Sequence, residues 1–211
     1  RPGGARMFLE WAAFGTVAFL MGGFGAVQVA AHQIALNLST LTFTVTVGIA
    51  SAAAVIVGHA VGRGDLAGVR RSTIAALGTG IAFMTIAAAL FIGIPGALAS
   101  AYTTDEGVLA LAMLLLPIAG LFQIFDGVQA VSLGVLRGMG DTRAPVAIGI
   151  VGFWLCGMPV SLWLAYRAGW GPVGLWWGFV AGLAAVALFL GARIRHRLGR
   201  GIARIEIDAR A

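Results

Sequence analysis

The sequence has no lysine, a single cysteine, and charged side chains at only 10% of its 211 positions. A soluble domain normally carries about 25% charged residues, so these side chains are too few to cover a globular surface. That shortage excludes a soluble enzyme, a disordered segment and a secreted disulfide scaffold. One cysteine cannot form an intrachain disulfide, and Cys156, inside an apolar stretch, reads as a small packing residue. With lysine absent, all 14 basic residues are arginine, which points to coding bias more than to function. The formal charge of +6 would suggest a nucleic-acid partner if it lay on one face. Here the charges belong to loops and tail, where the positive-inside effect accounts for them, so no nucleic-acid partner is expected. Short segments alternating apolar and polar residues are also missing, which excludes a transmembrane β-barrel.

What the chain does have is 60% hydrophobic residues, arranged in long blocks and accompanied by 32 glycines. Blocks of about 20 apolar residues match the length of a bilayer-spanning helix. The expected fold class is therefore all-α, a polytopic membrane protein. Six spans are expected near residues 7–29, 37–61, 73–94, 108–136, 145–166 and 173–194. They form one unit over 1–194, followed by a basic tail at 195–211. Sorting arginines by loop places thirteen on one side of such a bundle and only Arg167 on the other. By the positive-inside rule both ends of the segment are then cytoplasmic. The aromatic cluster Trp170, Trp176 and Trp177 falls near an outer helix end, where an interfacial belt is expected.

Ionisable side chains at bilayer depth are costly, so each is a functional candidate. Two carboxylates qualify, Glu10 and Asp126. Asp126 precedes Arg137 by eleven residues, about 16 Å along a helix. Gln123 and Gln129 stand three residues before and after it, neighbours on the same helical surface. A desolvated carboxylate can exchange a proton near neutral pH; with amide oxygens nearby it can equally hold Na⁺. An interhelical hydrogen bond or ion pair is the alternative for either residue. Gln33, Asn37, Thr40 and Thr44 recur at helical spacing and continue through Gly48 to Ser51, forming one polar stripe. Such a stripe lines either a neighbouring helix or a watery cavity; in the second case Gln33, Asn37, Thr40 and Thr44, together with Gln123 and Gln129, are the candidates for the wall of a substrate cavity. His32 and His59 also lie near membrane depth, and His196 lies in the tail. Gly174, Gly178 and Gly182 form a small-xxx-small seam suited to helix packing. Pro117 and Pro159 interrupt spans and permit kinks. No P-loop is present and no His/Cys/carboxylate cluster has metal-ligand spacing, so no ATP site, cofactor or metal is expected beyond Na⁺ at Asp126 and Glu10.

Several stretches, in order, resemble the second half of the MATE (multidrug and toxic compound extrusion) transporters. Ala30-Ala31-His32-Gln33-Ile34-Ala35-Leu36-Asn37 resembles the segment that leads into the eighth family helix, and Val57-Gly58-His59-Ala60-Val61-Gly62-Arg63-Gly64-Asp65 resembles that helix's cytoplasmic end. Phe125-Asp126-Gly127-Val128-Gln129, followed by Gly134-Val135-Leu136-Arg137-Gly138-Met139-Gly140-Asp141-Thr142, resembles the tenth helix and its cytoplasmic turn. The resemblance covers about residues 1–200. It implies one six-helix lobe of a twelve-helix transporter in a bacterial plasma membrane, exporting amphipathic, often cationic organic compounds against H⁺ or Na⁺. In many bacterial members of the NorM type, the positions matching Glu10 and Asp126 take part in cation binding. Gln33 and Asn37 match a cavity-facing part of the eighth helix. The resemblance further implies that an N-terminal six-helix lobe is missing, either as part of the same polypeptide or as a pairing subunit. The first is favoured because residue 1 is not Met. Two other readings remain: a lipid-linked precursor or polysaccharide flippase of the same superfamily, and a structural or channel-like six-helix subunit. An enzyme is not expected, because no nucleophile–base pair or metal constellation is visible.

Overall fold

A computed structural model of the chain describes residue 12 and residues 15–199. The first helix, α1, is described over residues 15–22 and ends in a glycine-rich turn. Gly23 and Phe24 donate back to Leu20 and Met21, and Gly25 takes φ 124°, a conformation that an L side chain rarely adopts. Helix α2 (Ala26–Gly62) then runs without a break for 37 residues, about 55 Å.

The boundary expected between the first two spans is therefore displaced. The apolar run continues through Gly22-Gly23-Phe24-Gly25, where the backbone turns, and weakens across His32, Gln33 and Asn37, where the helix is intact. Hydropathy counts glycine as apolar and cannot register that it breaks the helix.

The other elements begin where their caps dictate. The Asp65 carboxylate accepts from the Gly68 amide at 2.7 Å and starts α3 (Leu66–Gly93). Pro95 opens the short α4 (Pro95–Ser100). Asp105 accepts from the Val108 amide at 2.9 Å and caps α5 (Glu106–Gly138), which holds Pro117 in its interior. Helix α6 (Ala144–Arg167) is wound as π-helix over Val151–Gly157 and Trp163–Arg167. Helix α7 (Gly171–Gly199) extends five residues beyond the expected end of the last span, into the basic segment expected to be tail. Among the described residues five helices, α2, α3, α5, α6 and α7, are long and apolar enough to cross a membrane. The chain is a polytopic all-α membrane protein.

Lipid tails give helices no hydrophobic reason to associate, so association rests on close packing. Helix α5 lies at the centre, parallel to α2 and antiparallel to α3. A Cβ on Gly138 would sit 2.7 Å from the Ala54 carbonyl of α2, so the two backbones meet without side chains between them. The glycine series on α7 is the seam anticipated from its spacing. Cβ atoms on Gly174 and Gly182 would fall 2.6 Å from the Ala165 amide and 2.8 Å from the Gly157 Cα of α6. Gly178 faces Ser161, whose hydroxyl donates to the Leu175 carbonyl across the seam. The π-helical winding explains how α6 keeps its small residues on this face. A π turn brings residues five apart into line, and Gly152 and Gly157, both buried against α7, are five apart.

The core between α2, α5 and α7 is aromatic. Trp176 is fully buried and meets His32, Phe122 and Phe179 edge-on, at 5.7, 5.9 and 5.9 Å between ring centres. The expected interfacial belt is corrected in this respect: Trp170 is exposed, whereas Trp176 is a core residue on the inner face of α7. Spacing alone could not tell the two faces of that helix apart.

The seam gives a stability prediction. Gly178→Ala drives a methyl into Ser161 and is expected to cost about 1–3 kcal/mol, as overpacking does. Gly191→Ala, on the same helix with nothing within 4 Å, should be neutral or slightly stabilising. Thermal unfolding of the two variants in detergent checks this; equal midpoints would refute the seam's role.

Candidate functional site

Two polar features interrupt the otherwise apolar bundle. The first is the stripe on α2. Gln33, Asn37, Thr40, Thr44, Gly48 and Ser51 are all exposed, on the face turned away from the buried His32, Ser39 and Thr46. The hydroxyls are internally satisfied: Thr40 donates to the Leu36 carbonyl at 2.8 Å, Thr44 to Thr40 at 3.0 Å and Ser51 to Val47 at 2.8 Å. Such hydroxyls tolerate apolar surroundings. The carboxamides of Gln33 and Asn37 carry two donors and an acceptor each, and exposed to hydrocarbon they would be costly. The stripe is thus most polar toward the Ala26 end of α2.

The second feature is Asp126, half-buried on α5 between Pro117 and Arg137. Its two glutamine neighbours are not on an exposed face. Gln123 is fully buried between α5 and α2, where its Nε2 donates to the Thr42 hydroxyl and lies 3.5 Å from the Ser39 carbonyl. Gln129 is likewise buried. The six residues expected to share one cavity are therefore divided: four line the outer face of α2, and two are packed inside the lobe. Glu10 lies outside the described residues. No group of three His, Cys, Asp or Glu able to hold a metal ion occurs among the described residues.

Among the described residues, charge elsewhere is confined to the ends. Eight of the nine described arginines (Arg63, Arg70, Arg71, Arg137, Arg143, Arg193, Arg195 and Arg197) sit at the end where α2, α5 and α7 finish, and Arg167 sits at the other. Sequence reasoning missed what some of these arginines do. Asp141, in the turn after α5, receives Arg193 of α7 at 2.7 Å, and Arg197 donates to the Met139 carbonyl at 3.0 Å. Nothing in the spacing signals a pair 52 residues apart.

The MatE family model matches residues 2–163. The chain belongs to the MatE family. Among curated relatives it is 41% identical over 194 residues to the Probable multidrug resistance protein NorM of Xanthomonas campestris pv. campestris, covering 92% of this chain and 42% of that protein. It is 42% identical over 156 residues to the Multidrug resistance protein NorM of Burkholderia vietnamiensis, covering 72% of this chain and 34% of that one. The chain thus spans about two fifths of the length of such relatives. Its fold is that of the eukaryotic MATE transporter AtDTX14, at a TM-score of 0.87 and 20% identity, over 95% of this chain and 46% of that one. The Vibrio cholerae MATE transporter VcmN in its bent form gives 0.85 and 18%, over 95% and 45%.

The stripe yields a prediction independent of any substrate. In a Cys156→Ser background, cysteines placed at Asn37 and Thr44 should react with a membrane-impermeant thiol reagent far faster than cysteines at the exposed apolar positions Leu41 and Val45. Equal protection at all four would mean that lipid or protein, not water, covers the stripe.

Proposed function

We propose that this chain is one six-helix lobe of a cation-coupled exporter of amphipathic, cationic organic compounds, working against a second six-helix lobe in a bacterial plasma membrane. The observation that carries the reading is the pairing of a half-buried carboxylate at mid-membrane depth on α5 with an uncharged polar stripe on the outer face of α2. An intramembrane carboxylate is retained against its cost where it moves an ion. Polar side chains that face neither core nor lipid are what the wall of a cavity between two lobes requires. The family membership and the shared length of about two fifths with multidrug resistance relatives support both halves of the statement.

In this reading Asp126, together with Glu10, exchanges H⁺ or Na⁺, and Gln33, Asn37, Thr40 and Thr44 offer hydrogen bonds to the organic compound. Cation and compound favour opposite-facing states of the transporter, so each expels the other. No cofactor and no bond-making step is needed. The arginine-rich end faces the cytoplasm, following the positive-inside rule. The flippase alternative is disfavoured by charge: a lipid pyrophosphate calls for basic residues inside the bundle, and every described arginine lies at an end.

Replacing Asp126 with Asn in the transporter that contains this lobe should abolish efflux of a cationic dye and remove its dependence on the ion gradient. Dye efflux measured from loaded cells checks this, and full resistance with unaltered ion dependence would overturn the assignment.

A further inference from the structure

The substrate stripe and the carboxylate lie on different helices, and one buried side chain joins those helices. Gln123, fully enclosed, stands three residues before Asp126 on α5, so their Cβ atoms are about 5–6 Å apart. Its Nε2 reaches across to α2. There the Thr42 hydroxyl spends its own hydrogen on the Ser39 and Leu38 carbonyls, at 2.9 and 3.3 Å, which leaves it free to accept. The direction of the relay is therefore fixed, from Gln123 to Thr42 to the α2 backbone. The other end of the same amide is unused: Gln123 Oε1 is buried without a hydrogen-bond partner among the described residues. A buried acceptor left without a partner is a cost to folding, so this glutamine is poorly explained by stability alone.

We propose that Gln123 is the positioning residue that couples the loading of Asp126 to the substrate face of α2. Its Oε1 is an acceptor for the positive group that a loaded carboxylate presents, either the O–H of the acid or a bound Na⁺. A bare carboxylate has only acceptors and offers it nothing. When Asp126 is loaded, Oε1 is drawn toward α5. Because Nε2 is bonded to Thr42, that pull is delivered to the turn of α2 bearing Thr40 and Thr44. Gln123 does not touch the exported compound; it transmits. This inference rests on Asp126 being the coupling carboxylate.

The test is a coupling factor rather than an activity. Dissociation constants for ethidium are measured on the purified transporter containing this lobe, with and without Na⁺ at fixed pH, and again at two pH values without Na⁺. In the unaltered protein the coupling cation should weaken ethidium binding by a factor in the range of about 5–150. In Gln123→Leu and in Thr42→Val that factor should collapse toward one, and Thr42→Ser should restore it. Thr42→Val keeps the side-chain volume and decides the matter if Gln123→Leu fails to assemble. If both variants keep the full factor while Asp126→Asn loses it, the relay is refuted and the coupling site stands. If Asp126→Asn also keeps it, the coupling site itself is wrong and this inference falls with it. A factor that appears with Na⁺ at fixed pH makes Oε1 a cation ligand, and one that appears only with pH makes it an acceptor for the acid O–H.

Discussion

Backbone-to-backbone contact around α5 is the constraint on which the lobe depends. In a bilayer no solvent drives α2, α3 and α5 together, and the available attraction is dispersion, which fades within an ångström of lost contact. Glycine at the crossing points lets main chains touch, and the small residues of α6 and α7 repeat the device on the other side of the bundle. Once the backbones are seated, little freedom remains for one helix to slide past another. The seams hold the bundle as a block, and Gln123 is a side chain that crosses one of them.

This division of labour accounts for the placement of polarity. Buried polar groups on α2 (His32, Ser39 and Thr46) recur every seven residues toward α5 and α7, and exposed ones recur on the opposite face. A single helix thus carries an inner polar line packed inside the bundle and an outer one on its exposed face. Thr42, beside the inner line, accepts a hydrogen bond from Gln123 of α5.

The fold class, the all-α architecture and the glycine seam were legible in the sequence because each depends on short-range pattern: block length, absence of alternation, four-residue spacing. The turn at Gly23–Gly25 was not, since glycine is apolar on a hydropathy scale and a helix breaker in the backbone. The site was half legible. Asp126 and the stripe follow from depth and period. Gln123 and Gln129 share a surface with Asp126 by spacing, yet which way that surface points depends on α2, more than eighty residues earlier in the chain. Trp176 was misplaced for the same reason, its depth being readable and its orientation not.

The clasp between the turn after α5 and the last turns of α7 bears on how the molecule is made. Asp141 is 8% exposed and its arginine arrives 52 residues later. Chains grow from the amino end at roughly 5–20 residues per second, so for some seconds during synthesis this carboxylate has no Arg193 to meet. The turn closes on its own backbone, Gly140 donating to Arg137 and Asp141 to Leu136, but its carboxylate meets Arg193 only when the end of the last helix reaches the same face. The arginine-rich end of the lobe is therefore completed by its most recently made segment, and a ribosome that stops before Arg193 leaves that end open.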